Sequence, residues 1–189
     1  MKPKLVQPQA GENLCVKYMG GFRAMWRNHV CFYVVLGACF RFWQAYSIAY
    51  FALKFFSDYD KNNQYGLLNG LSVMFGGFSS QLIAGQISDR GEGKYPRTKP
   101  YVCMIMSLLG VVTNSICFMF TFNFYFSMTF LFLTYLLSEG WMAPAVAMIQ
   151  ATIDVRFKGV AMGVFFFATG IFGMIGTFII GWLVDDFHI

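Results

Sequence analysis

Between Tyr101 and Ser138 the chain carries no charged residue. One unbroken helix of that length would extend roughly 57 Å, nearly twice the thickness of bilayer hydrocarbon. The stretch must therefore fold back on itself. Its one polar cluster near the middle, Thr121-Phe122-Asn123, is where the turn belongs, giving apolar spans at 101–120 and 124–153. Gly140 and Pro144 invite a kink in the second of these.

Three further runs have the length to cross a membrane. Residues 30–53 are interrupted only by Arg41, and 65–87 and 160–184 contain no charge. Their exits are marked by Lys54, Asp58, Asp60 and Lys61, by the Gly-, Pro- and charge-rich segment from Ser88 to Pro100, and by Asp185-Asp186. With 57% hydrophobic and only 12% charged residues, the chain holds more apolar surface than one water-soluble core can hide. The expected fold is an all-α, polytopic transmembrane bundle of about five spans, occupying 28–189 after a polar, basic tail at 1–27.

Loops retained in the cytoplasm collect Lys and Arg. With the amino terminus inside, the inner segments hold Lys2, Lys4, Lys17, Arg23, Arg27, Arg90, Lys94, Arg97, Lys99, Arg156 and Lys158, and the outer ones only Lys54 and Lys61. The layout is therefore five spans, amino terminus cytoplasmic, carboxyl terminus on the far side. The net charge of +5 follows from this sorting and implies no nucleic-acid partner.

Other chemistries find little support. The cysteines Cys15, Cys31, Cys39, Cys103 and Cys117 form no CxxC pair, and His29 and His188 stand alone, so no metal or redox centre is expected. No nucleophile, base and stabiliser recur at a workable spacing, which argues against an enzyme, and no cofactor motif is present. The amino terminus, with Pro3, Pro8 and Gly11 before any apolar run, does not read as a signal peptide.

The segment Gly85-Gln86-Ile87-Ser88-Asp89-Arg90, followed by Gly93-Lys94 and Arg97, resembles the G-x-L-A-D-R-x-G-R-R loop of the major facilitator superfamily, which joins the second and third helices of each six-helix half. Here it joins the second and third spans. The second glycine falls at Gly93, one residue late, with Glu92 in its usual place. Glu139-Gly140-Trp141 with Pro144, then Gln150, Arg156, Gly159, Ala161, Gly163, Gly176, Gly181 and Asp185, resemble helices 10 and 11 of spinster-like transporters. This resemblance implies a carboxyl-terminal half comprising helices 7 to 11, with the tail as the end of an inter-domain linker and helix 12 missing. It further implies that Gly85, Asp89, Arg90, Gly93, Lys94 and Arg97 form a latch between halves, with Asp89 accepting from a neighbouring helix end and Arg90 pairing locally.

Arg41 and Glu139 each lie near the middle of their spans, and charge in hydrocarbon is costly unless it faces a cavity or a partner. Arg41 is expected to anchor an anionic group or to pair with Glu139. Glu139 is a candidate proton or charge-compensation site, and Gln44, on the same helical face as Arg41, is placed to orient a polar group. A structural ion pair is the other reading of these charges. The GxxxG pairs Gly66/Gly70 and Gly159/Gly163 are expected to let helices pack closely.

Two functions follow. One is alternating-access transport of a small organic solute or lipid-like molecule, this chain being a half or a fragment that works with a complementary amino-terminal half or another copy of itself. The other is a non-transporting membrane subunit acting as a scaffold with other membrane subunits. The bilayer is the partner common to both.

Overall fold

The computed structural model describes residues 14–57, 59, 62–95, 97–120 and 123–186. The first thirteen residues, the span exits Asp58, Asp60 and Lys61, Pro96, the turn residues Thr121 and Phe122, and His188 lie outside the described residues. Every element among the described residues is helical: α1 (Leu14–Arg27), α2 (His29–Ser57), α3 (Asn62–Leu71), α4 (Phe78–Glu92), α5 (Thr98–Met119), α6 (Phe124–Ser138), α7 (Met142–Thr152) and α8 (Lys158–Asp186). A π-helical segment, Ser72–Gly77, joins α3 to α4 without a turn, and a short 3-10 segment, Glu139–Trp141, joins α6 to α7.

Among the described residues, four continuous helical stretches are long and apolar enough to cross a membrane: Asn63–Glu92, Thr98–Met119, Phe124–Thr152 and Val155–Val184. The expected first span is present as α2, 29 residues long, but it is not among the four. Its length suffices, whereas Arg41, Gln44, Trp43 and several tyrosines lower its apolar character. The expected fold-back is found, since α5 ends at Met119 and α6 begins at Phe124 after Asn123. Two boundaries move. Part of the tail is the helix α1, and α4 runs five residues past Ile87 to Glu92, because polarity ends burial in lipid without ending a helix.

α2 packs along α8, while α5 packs on α6 and the α3–α4 stretch lies against α6 and α7. The helical stretches are broken twice, first at Ser72–Gly77 and second at Glu139–Trp141. At the second, Pro144 cannot donate a backbone hydrogen bond to residue 140, so the helix tightens there. Glycines allow the two breaks to meet their neighbours: a Cβ on Gly140 would lie 2.6 Å from Ala84 Cβ and 2.8 Å from the Ser80 carbonyl oxygen. One on Gly76 would lie 3.1 Å from Tyr135 Cβ.

The glycines named from GxxxG spacing behave otherwise. A Cβ on Gly66, Gly70, Gly159 or Gly163 meets nothing within 4 Å, and all four residues are exposed. Among the described residues they mediate no close approach. Close approach occurs at Gly173 and Gly176 of α8, where Tyr46 and Trp43 of α2 occupy the space a Cβ would need.

The interior divides into two apolar clusters. One gathers Cys31, Ala38, Trp141, Ala145, Ile149 and Phe165, among others, around α2, α7 and α8. The other gathers Ala52, Phe56, Tyr65, Cys117, Phe124 and Leu131. On α2, Arg41 and Gln44 fall between the two sets. So do Thr113 and Asn114 on α5, and Thr134, Ser138 and Glu139 on the α6–α7 stretch. The bundle is thus apolar toward both ends with a polar layer across its middle, while large side chains such as Met119 and Phe178 face outward.

Candidate functional site

Arg41 sits at the centre of that layer, about 18 Å along α2 from His29. Its Nη1 donates to Gln44 Oε1 at 2.6 Å, one turn further along the same helix. Its Nη2 donates to the backbone carbonyl of Ser138 at 2.8 Å. Ser138 is the last residue of α6, and carbonyls of a final helical turn lack the usual i+4 donor, so the break beside Glu139 offers an acceptor to the guanidinium. The guanidinium carbon also stands 5.7 Å from the centre of the Trp141 ring, a cation–π distance. Nε is buried and has no partner.

The sequence placed Arg41, Gln44 and Glu139 together, and the structure does bring them around one small cavity of about 30 Å³, closed by Thr134, Tyr135 and Ser138. That volume holds a water molecule or two. The direct Arg41–Glu139 ion pair is absent. Among the described residues the ion pair that forms is Lys99 with Glu92, at 2.6 Å. Gln44 and the Ser138 carbonyl take the guanidinium nitrogens that the carboxylate was expected to hold.

The polar layer extends further than the charges. Thr134 Oγ1 donates to Thr113 Oγ1 at 3.0 Å, and Tyr135 OH donates to Asn69 Oδ1 at 3.2 Å. Asn114 Oδ1, Ser80 Oγ and Ser47 Oγ are buried without partners. Thr113, Thr134 and Ser138 were not anticipated as site residues. The available signal was uncharged polar residues at one-turn spacing within otherwise apolar spans.

On its other side Arg41 closes the deep end of a second, larger cleft of about 410 Å³ between α2, α5 and α7. The α2 wall runs from Val30 to Arg41, about 16 Å. Its lining is mostly apolar, with Val34, Ala38, Met104 and Met148, and Ser107 joins Arg41 as a polar group. Arg41 therefore separates an elongated apolar cleft from a small polar cavity.

The expected latch residues lie at the end of α4 and just beyond it. A Cβ on Gly85 would make only an ordinary 3.8 Å contact with Ala143 Cβ of α7. Asp89, Arg90, Lys94 and Arg97 are exposed, and no side-chain hydrogen bond or ion pair engages them among the described residues. Asp89 therefore caps no neighbouring helix here and Arg90 has no local partner. Gly93 has an ordinary helical φ of −62°, so its displacement costs the turn nothing. The glycine that the turn does require is Gly91, where a Cβ would lie 2.5 Å from Thr98 Cγ2. Glu92, the residue out of pattern, secures the loop by reaching the nearly buried Lys99.

No family model matches this chain, and no solved structure matches it. It is similar to an MFS-type efflux pump of Mycolicibacterium smegmatis, with 26% identity over 176 residues. The alignment covers 90% of this chain and 40% of the pump, so the chain spans well under half of that relative. With four apolar helices of spanning length, this similarity describes an integral, multi-pass membrane protein.

Proposed function

We propose that this chain forms part of a major facilitator transporter, contributing a carboxyl-terminal half of spinster-like type. In this reading α2 is the first span, and the α3–α4, α5, α6–α7 and α8 stretches are the other four. Transport is by alternating access, and the cargo is a small organic solute or lipid-like molecule that reaches Arg41 through the apolar cleft. The amino terminus lies in the cytoplasm.

The observation that carries this reading is a mid-depth polar layer in which a guanidinium, bound at a helix break, stands between two cavities. Broken helices and polar groups near the midplane are how transporters build substrate and ion sites. A purely structural charge would be fully tied, whereas Arg41 keeps Nε free and borders open space on both sides. The exposed stripes of Gly66/Gly70 and Gly159/Gly163 supply faces on which a complementary half can pack.

The test uses the complete assembly in proteoliposomes. Arg41→Gln should insert and assemble normally but lower transport by ten- to a hundredfold, the order expected for losing a charged hydrogen bond to cargo, about 1.5–3 kcal/mol. Arg41→Lys keeps the charge without the planar fork and should fall between. Wild-type rates in both variants would remove Arg41 from the transport site. Stable co-purification with a partner of unrelated fold, without any flux, would favour the scaffold role.

A further inference from the structure

The helix α1 is not used by the transport reading, and its surroundings are specific. Asn28 is the joint between α1 and α2. Its Oδ1 accepts from Val30 N at 3.0 Å, capping α2, and its Nδ2 donates to the Thr152 carbonyl at 3.3 Å. From that joint α1 runs across to the start of α8: a Cβ on Gly20 would lie 3.3 Å from the Phe157 ring, and one on Gly21 would lie 2.8 Å from Val160 Cγ1. Met25 is buried beneath it in the apolar cluster that includes Cys31 and Phe165. α1 therefore lies across the ends of two helices that both begin at the same face of the bundle.

Its outer face is amphipathic. Met19, Phe22 and Trp26, at helical spacing, are 73%, 50% and 65% exposed. Phe22 stacks on Trp26 with ring centres 5.7 Å apart, and Trp26 meets the edge of Phe32 at 5.3 Å. Phe32 belongs to the first turn of α2, so the apolar stripe points toward the depth at which α2 enters the bundle. Arg23 and Arg27, one turn apart, line one edge of the stripe, both exposed and neither paired with a carboxylate among the described residues. Arg156, just before α8, is also exposed.

We infer that α1 is an in-plane anchor that binds the surface of an anionic lipid leaflet. Met19, Phe22 and Trp26 enter the boundary between headgroups and acyl chains, and Arg23 and Arg27 hold the lipid phosphates. An exposed Trp–Phe–Met stripe bordered by arginines is suited to that boundary, where aromatic rings sit at headgroup level and basic side chains reach outward to phosphate. The inference rests on α2 and α8 entering the bilayer, not on transport.

The test reconstitutes the full chain in vesicles of phosphatidylcholine, alone or mixed with phosphatidylglycerol. Trp26 emission, taken as wild type minus Trp26→Phe, should be quenched by lipids brominated near the headgroup end of the acyl chain and shielded from aqueous iodide. Each basic residue near an anionic surface is worth roughly fivefold. Arg23→Gln/Arg27→Gln should therefore weaken retention of phosphatidylglycerol over phosphatidylcholine, read by native mass spectrometry, by about 30-fold. All these residues are exposed, so the variants should fold. Quenching of Trp26 by iodide and not by bromolipid, or unchanged phosphatidylglycerol retention in the double variant, would overturn the inference.

Discussion

Adding one methyl group to Gly110 tests the geometry around Arg41 without touching a charge. A Cβ there would lie 2.5 Å from Ser138 Cβ and 3.2 Å from Ser138 Oγ, with Arg41 Nη1 a further contact at 3.7 Å. Ser138 is buried, and its carbonyl accepts the 2.8 Å bond from Arg41 Nη2. Ordinary contact requires separation by roughly another ångström, which carries that carbonyl out of hydrogen-bond range. Overpacking of this kind costs about 1–3 kcal/mol, so about 2 kcal/mol is expected for Gly110→Ala. In a chain of this size that is a fall in Tm of about 4–8 °C, measured by thermal unfolding in detergent. Ser138→Gly removes the clashing atom, so Gly110→Ala/Ser138→Gly should be more stable than the two single effects summed, with a coupling of about 1 kcal/mol or more. Gly163→Ala is the control: it meets open space and should be neutral or slightly stabilising. A neutral Gly110→Ala, or a double variant showing simple additivity, would refute the packing described at Arg41.

Two further outcomes are expected. In the complete assembly, Glu139→Gln should flatten the pH dependence of transport, because Glu139 is the carboxylate that borders the small cavity with Arg41; an unchanged profile would make it structural. Glu92→Gln should speed tryptic cleavage in the Arg90–Lys99 segment by about two- to fivefold, the modest effect of losing an ion pair whose carboxylate is half exposed; unchanged cleavage would show that Glu92 does not secure the loop.

The long helices were legible because hydrocarbon imposes a length and excludes charge, and those two demands fix the ends of α5, the α6–α7 stretch and α8 to within a few residues. The tail was not legible in the same way. The alternation of Met19, Phe22 and Trp26 with Arg23 and Arg27 is amphipathic, and it disappears when the segment is read only as polar and basic. The depth of Arg41 and Glu139 could be counted along each span, and Gly140 with Pro144 announced the break between α6 and α7. The acceptor that replaces Glu139 could not be read, because it is the main-chain carbonyl of Ser138, exposed to Arg41 by the break itself. Glycine spacing misled for a related reason. Gly66, Gly70, Gly159 and Gly163 share a face on each helix, but spacing does not say whether that face turns inward. The glycines that do admit neighbours, Gly110, Gly140 and Gly176, are recognised by what stands opposite them: Ser138, Ala84 and Trp43.

If these helices cross a bilayer, the basic loop after α4 lies on one side and the start of α3 on the other. Asn63 and Lys94 are both exposed and sit at opposite ends of one apolar stretch. Asn63→Cys and Lys94→Cys, treated in sealed vesicles with a maleimide that cannot cross membranes, should react above the parent chain from opposite sides. Equal labelling of both from the same side would contradict the account.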